Sequence, residues 1–270
     1  MTMKITILGA RGSVPVEGKD FEAFGGATTC YSVKGEMSGE ELYLDAGSGI
    51  VSAKPDPGSH ISLFLSHMHL DHLLGLPFFP GFYDSKRQID IYARSFDTVS
   101  LETNMERLFS APFWPVRITD LPARVILHDM YTDAPIHKGE FCLDMMEGSH
   151  PDGSTIFRVR DAGHSFVFAT DFEHNPKKIL ELSDFALGCD ILFYDGQYTE
   201  EEYPSHQGFG HSYPEIGIEI ARQSGIKHLV ITHHAPTHKD LFLSAWEKEL
   251  KNDYPRLSIS FARAGDVITL

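Results

Sequence analysis

The stretch SHMHLDH, residues 66–72, places three histidines and one aspartate within six consecutive positions. The apolar run ISLFL precedes it at 61–65, and the apolar run LLGLPFF follows it at 73–79. A strand that ends before the cluster and a helix that starts within it would hold these polar side chains at a sheet edge. Imidazole and carboxylate groups are ligands of zinc, manganese and iron, so the stretch predicts a metal site.

Short β-branched and aromatic runs recur along the rest of the chain, and between them lie amphipathic helical patterns. Strands are predicted at 4–9, 29–33, 41–46, 61–66, 89–93, 124–129, 154–159, 165–170, 190–195 and 228–232. Helices are predicted at 70–79, 97–109, 176–186 and 241–250. Because strands and helices alternate, we expect a layered α/β protein. No linker or repeat divides the sequence, so we expect one domain over 1–270.

A further helix carries the clearest terminal signals. Ser212 and Glu215 have the S-x-x-E spacing of a capping box, with Pro214 in the first turn. Gly225 is placed to end the helix in a left-handed conformation.

Composition excludes several classes of protein. The sequence has no uninterrupted apolar run of about 18 residues, so we expect no membrane span. The first residues, MTMKITILGA, lack the pattern of a signal peptide, and we therefore predict a cytoplasmic protein. Cys30, Cys142 and Cys189 form no C-x-x-C pair and are predicted to be buried thiols. The net charge of −15 disfavours a broad grip on an extended nucleic acid, which needs clustered lysine and arginine.

The H-x-H-x-D-H string resembles the signature of the metallo-β-lactamase-fold hydrolases. Two later stretches extend the resemblance: SHPDGSTIFRVRDAGHSFVFATDFEH at 149–174 and KHLVITHHAPTH at 227–238. The family implies a four-layer αββα sandwich. It also implies two divalent cations, for which zinc is our first choice and manganese or iron the alternatives.

The resemblance also implies how the ligands are shared. One cation would be held by His67, His69 and His150 and the other by Asp71, His72 and His233, with Asp171 between them. We prefer His233 as the last ligand because it directly follows the strand, and its neighbour His234 stays an alternative.

Several other stretches resemble one branch of the family, which contains tRNase Z and hydrolases similar to cyclic-nucleotide phosphodiesterases. These stretches are ILGARGSVP, GGATTCYSV, YLDAGSGI and the segment from LFYDGQYTEEEY to GFGHSYPEIGIEIARQSG. By that resemblance Asp195 orients His211, which protonates the leaving oxygen. The implied catalytic set is His211, Asp195 and Asp71.

The charge balance favours an anionic substrate. Two divalent cations, Asp71, Asp171 and a hydroxide between the metals leave the site positive by about one charge. We therefore predict a phosphodiesterase in which this hydroxide attacks phosphorus and whose partner is a small anionic phosphodiester such as a cyclic nucleotide. The alternatives are a tRNA 3′-processing endoribonuclease, a carboxylic ester, thioester or lactone hydrolase, and a metal-binding sensor without activity. Dimers are common in the family, so a homodimer is a further expectation.

Candidate substrate contacts come from aromatic clusters and from the His211 segment. Phe79 and Ser212 are the residues chosen, and Phe82, Phe113 and Trp114 are further aromatic candidates for stacking on a base. Core packing is the alternative role for these rings. The family position of Asp45 implies a hydrogen bond to a metal-binding histidine.

Overall fold

The computed structural model describes residues 2–37, 39–95, 99–130 and 134–270. Within these residues the chain forms two seven-stranded sheets. The first sheet contains β1 Lys4–Gly9, β2 Cys30–Lys34, β3 Glu40–Leu44, β4 His60–Leu65, β5 Gln88–Ala93, β6 Arg124–Asp129 and, at one edge, β14 Val267–Thr269. The second sheet contains β7 Ile136–Lys138, β8 Phe141–Glu147, β9 Thr155–Arg160, β10 Ser165–Ala169, β11 Ile191–Asp195, β12 His228–Thr232 and β13 Ser258–Phe261.

Both sheets are mixed. The first has the order β14-β1-β2-β3-β4-β5-β6, and the strands from β3 to β6 run parallel. The second has the order β13-β12-β11-β10-β9-β8-β7, and the strands from β10 to β13 run parallel. Parallel neighbours bring their carboxyl ends to one edge of a sheet, which is where clusters of functional side chains can form.

Helices cover the outer faces of the two sheets. They are α1 Leu101–Leu108, α2 Pro176–Phe185, α3 Pro214–Ser224 and α4 Asp240–Asp253. Tyr31 and Phe64 of the first sheet pack with Phe193 of the second in the core between the sheets. A second core lies under α2, α3 and α4, and a third joins the first sheet to α1. The predicted αββα sandwich is therefore confirmed.

Most predicted elements are present, with shifted ends. The helix predicted at 97–109 forms over Leu101–Leu108, and positions 97 and 98 lie outside the described residues. Four strands were not predicted: the short β7, β13 and β14 and the seven-residue β8. The three cysteines are buried and unpaired, as expected. No helix in the described part of the chain is long and apolar enough to cross a membrane.

The helix predicted at 70–79 is wrong. The segment forms separate 3₁₀ turns at Leu70–His72 and Leu76–Phe78. Pro77 cannot donate a helical hydrogen bond. Gly75 lies so close to the backbone of Gly47 that an added Cβ would be 2.2 Å from the Gly47 carbonyl oxygen. Asp71 and His72 therefore stand on a single 3₁₀ turn and not at the start of a long helix.

The capping box predicted at Ser212 is also wrong. Helix α3 begins at Pro214, and Tyr213 occupies the N-cap position without a side-chain hydrogen bond. The Ser212 hydroxyl instead accepts a hydrogen bond from the hydroxyl of Tyr194 at 2.8 Å. The predicted helix end is confirmed, because Gly225 has a φ of 69° in the left-handed region.

Candidate metal centre

Three of the predicted ligands form one group of donor atoms. His67 follows β4, and the imidazoles of His67, His69 and His150 offer nitrogens that all lie within 4.8 Å of one another. His69 Nδ1 is 3.0 Å from His150 Nε2. The other nitrogen of His150, Nδ1, donates to the carbonyl oxygen of Gly210 at 2.9 Å, which fixes the ring and directs Nε2 into the group.

Four further predicted ligands form a second, fully buried group. Donor atoms of Asp71, His72, Asp171 and His233 also lie within 4.8 Å of one another. Asp71 Oδ2 is 3.3 Å from His72 Nε2 and 3.3 Å from His233 Nε2. The strand β12 ends at Thr232, so His233 reaches the group from the edge of the second sheet.

Asp171 lies between the two groups. Its Oδ1 is 3.9 Å from His67 Nε2 and 3.9 Å from His150 Nε2. Its Oδ2 is 3.1 Å from His72 Nε2 and 3.3 Å from His233 Nε2. The two oxygens of one carboxylate thus face different sets of histidines, which is the arrangement that a bridging ligand requires.

The residues present fit two metal ions. Among the buried polar atoms that make no hydrogen bond with any described residue, four face one another in the cluster: His67 Nε2, His72 Nε2, Asp171 Oδ2 and His233 Nε2. Leaving buried polar atoms without partners is costly, and here the atoms converge. A set of imidazole nitrogens and carboxylate oxygens suits zinc, manganese or iron. The identity of the metal stays a prediction.

The charges of the cluster strongly influence one another. Burial would raise the pKa of Asp71, but His72 and His233 hold it well below its usual range. Burial would lower the pKa of His233, but Asp171 and Asp71 outweigh burial and raise it to about 9. In the second group, without metal, His72 and His233 are therefore protonated beside ionised aspartates, and a divalent cation would displace these protons. In the first group burial lowers the pKa of His67 and His150, which favours their neutral, metal-binding form.

The surrounding backbone and side chains hold the ligands in place. His72 Nδ1 donates to Asp45 Oδ2 at 2.8 Å, the contact expected from the family position of Asp45. Asp45, Asp171 and His233 all have positive φ values, of 61°, 55° and 60°. Such conformations are strained for residues other than glycine, and they cluster at functional sites.

Asp195 and His211 form a pair beside the ligands. His211 Nδ1 donates to Asp195 Oδ2 at 2.9 Å. The same oxygen accepts from the backbone N–H of Asp171 at 2.9 Å, and Asp195 Oδ1 accepts from the backbone N–H of Gln197 and of Ser212. Four donors to one buried carboxylate fix its position, so Asp195 can orient the His211 ring.

The structure places His233 and not His234 in the cluster. His234 Nε2 donates to the carbonyl oxygen of Ala262 at 2.9 Å, and its ring stacks on Phe261. Burial lowers the pKa of His234 to about 3, which keeps this imidazole neutral. His234 therefore belongs to the packing under β13.

Two of the predicted substrate contacts are wrong. Phe79 is fully buried and packs edge-on against Tyr43 and Phe82, so its ring cannot reach a ligand. Ser212 is also fully buried. Of the other aromatic candidates, Phe113 is 81% exposed.

Glu173 is a residue of the site that the sequence analysis missed. Its carboxylate accepts hydrogen bonds from the Tyr203 hydroxyl and from the backbone N–H groups of Gly208 and Gly210. Glu173 therefore holds the loop that carries Gly210 against His150. It lies only two positions after Asp171, but a single glutamate without a spacing pattern gives no signal in a sequence.

Comparison with known proteins relates this geometry to a family. The beta-lactamase superfamily domain matches residues 42–234, a range that contains all the ligand candidates. The chain is 24% identical over 281 residues to a ribonuclease Z of Haloarcula marismortui, covering 86% of each sequence.

Two solved structures share the fold over the full length of the chain. The metallo-beta-lactamase fold protein YhfI of Bacillus subtilis has a TM-score of 0.73 and 20% identity, with 100% of each chain covered. A diphosphatase from the PhnP family has a TM-score of 0.67 and 18% identity, covering 100% of this chain and 98% of its own. These likenesses concern the fold alone.

Proposed function

The chain belongs to the beta-lactamase superfamily, and from this we propose that it is a phosphodiesterase with two metal ions that hydrolyses small anionic phosphodiesters such as cyclic nucleotides. The observation that carries the proposal is the position of Asp171 between two groups of donor atoms, with the Asp195–His211 pair alongside. The broader assignment to metal-dependent phosphodiester hydrolases is supported by the family match and by the ribonuclease Z relative.

In the proposed site His67, His69 and His150 would hold one cation, Asp71, His72 and His233 would hold the other, and Asp171 would be shared between them. Bound divalent cations lower the pKa of water to about 7 and neutralise charge on a phosphoryl group. The chain itself contributes the positions of these ligands. Asp45 fixes the ring of His72, and the Gly210 carbonyl fixes the ring of His150.

His211 is the proposed general acid. Its Nδ1 is occupied by Asp195, so its other nitrogen, Nε2, is the one that can carry a proton to the leaving oxygen. Asp195 keeps the ring in this orientation. His211 stacks on His233 with ring centroids 4.9 Å apart, which places the acid directly beside the ligands.

The charge of the protein supports a small substrate. The chain has a net charge of −15, so an extended polyanion would be repelled away from the metal site. A small diester has to satisfy only the local positive field of the cations.

A tRNA 3′-processing endoribonuclease is the second candidate. The Haloarcula ribonuclease Z matches the chain over 86% of its length, which supports a substrate of that kind. Hydrolysis of a carboxylic ester, thioester or lactone uses the same ligand types and is a third possibility within the same fold.

One assay distinguishes these candidates. Protein stripped of metal and reloaded with zinc or manganese would be offered adenosine 3′,5′-cyclic monophosphate, bis(p-nitrophenyl) phosphate, p-nitrophenyl acetate and a precursor tRNA. We expect metal-dependent turnover of the two small diesters, with stripped protein as the inactive control. Cleavage of the precursor tRNA at its 3′ end with no turnover of small diesters would favour the second candidate. Turnover of the acetate alone would overturn the phosphodiesterase proposal.

A further inference from the structure

A cleft of about 740 Å³ opens directly beside the first group of ligands. It is lined by His67, Met68 and His69, and also by Arg107 of α1 and Phe113 of the following loop. We call it the Phe113 cleft. Its volume lies in the range of pockets that hold small organic ligands, about 300 to 1,000 Å³.

The Phe113 cleft has the apolar surface that a flat ring needs. Phe113 is 81% exposed and Leu70 is 65% exposed, and both side chains line the cleft. Large apolar side chains that remain this exposed beside a catalytic site are candidates for contacts with a ligand. Aromatic side chains stack on nucleobases of any sequence because every base has a π face.

The polar side chains that line the cleft include two arginines and the amide of Asn104, together with one carboxylate, Asp152. Arg94 and Arg107 both line it in a chain whose net charge is −15. Arg94 also lies 3.6 Å from Glu147. Arg107 lies on the exposed side of α1, where its guanidinium donates to Asn104 Oδ1 at 3.4 Å. Amide and guanidinium groups are suited to hydrogen bonds with base edges.

We infer that the Phe113 cleft binds the nucleoside part of the substrate, with the base stacked on Phe113 and its polar edge against Asn104 and Arg107. The inference rests on the proposed phosphodiesterase function and narrows the substrate class to nucleotide diesters. The continuity of the cleft with His67 and His69 carries it, since a diester held at the ligands would extend one substituent into this space.

Two diesters with the same leaving group test the inference. Thymidine 5′-(p-nitrophenyl phosphate) and methyl p-nitrophenyl phosphate differ only in the retained substituent. We expect kcat/KM to be at least about tenfold higher for the thymidine ester. Phe113→Ala should lower kcat/KM about tenfold for the thymidine ester and change kcat/KM for the methyl ester by less than about twofold. Leu187→Ala is the matched control, because Leu187 is 61% exposed and lies outside the cleft.

A binding measurement separates failure of this inference from failure of the proposed function. Calorimetric titration of the metal-loaded protein should show thymidine 5′-monophosphate binding at least about fivefold tighter than methyl phosphate, with the difference lost in Phe113→Ala. Equal kcat/KM for the two diesters would overturn the cleft inference, as would equal losses of kcat/KM on both in Phe113→Ala. Either result would leave the phosphodiesterase proposal standing. No turnover of any diester would overturn the proposed function, and equal binding of the two phosphates would then overturn the cleft inference as well.

Discussion

His211 Nδ1 donates a hydrogen bond of 2.9 Å to Asp195 Oδ2. The Asp195 carboxylate also accepts hydrogen bonds from three backbone N–H groups. The bond links helix α3 and its preceding loop to the end of β11. A histidine held in this way has one nitrogen committed to the protein and one free for a proton transfer. That division of roles leads to the first prediction.

His211→Ala should reduce turnover most where the leaving group is a poor one. An alkoxide leaves only with a proton, whereas p-nitrophenolate is a stable anion. We expect kcat on adenosine 3′,5′-cyclic monophosphate to fall about 10²- to 10⁴-fold and kcat on bis(p-nitrophenyl) phosphate to fall about tenfold or less. The control is His137→Ala, since His137 is exposed on β7. Equal losses on the two substrates would show that His211 is not the acid.

Asp171→Asn should reduce the metal content of the purified protein. An amide in place of the carboxylate removes the charge shared between the two donor groups, while Asn tolerates the φ of 55° at this position. Mass spectrometry of metals should find about two divalent ions per wild-type chain and about one or fewer in the variant. Asp184→Asn on the exposed side of α2 should retain the wild-type content. Two ions in both variants would contradict the bridging role.

Two glycines of the same loop offer a matched pair of substitutions. Gly210 and Gly208 have φ values of +91° and +90°, so alanine meets a similar backbone penalty of about 1 kcal/mol at either position. An added Cβ at Gly210 would lie 2.0 Å from His150 Nδ1, whereas no atom of the described residues lies within 4 Å of one at Gly208. Gly210→Ala should displace the His150 ring and lower both kcat and metal content.

Gly208→Ala is expected to keep the wild-type metal content and most of the activity, with a loss of thermal stability similar to that of Gly210→Ala. Comparable losses of metal in both variants would mean that the loop backbone, and not the contact with His150, controls the site.

Glu247 should make the stability of the protein depend on pH. Burial would raise the pKa of Glu247, but Arg263 and Lys251 outweigh it, so the pKa is lowered in the folded state. A lowered pKa stabilises the fold above the unfolded value of about 4.3, and this contribution is lost as the pH falls through the lower folded value. Glu247→Gln should therefore lower the free energy of unfolding by about 1 kcal/mol at pH 7 and by less at pH 3.5.

Urea unfolding of metal-stripped protein at both pH values measures this difference. Glu249→Gln, an exposed position on the same helix, is the control and should have little effect. If Glu247→Gln lowered the free energy of unfolding by the same amount at pH 7 and pH 3.5, the charge of Glu247 would not be the cause of the loss.

The sequence by itself determined most strands and the helices α2, α3 and α4. This was possible because the period of the hydrophobic pattern and the residues that start or end a helix are local properties of a chain. The sequence also determined candidate ligands, since H-x-H-x-D-H is contiguous and Asp171 and His233 directly follow predicted strands. Resemblance to a family, and not periodicity, linked His150, Asp171 and His233 to that string.

Only the tertiary structure decided which side chains face the site. Phe79 and Ser212 are buried because their turns pack against the sheets, and a hydrophobic pattern does not distinguish a buried ring from one exposed in a cleft. Pro77 and the close backbone contact of Gly75 prevented the helix predicted at 70–79. Glu173, Asn104 and Arg107 gained their positions from contacts between distant segments, and such contacts depend on the packing of both sheets.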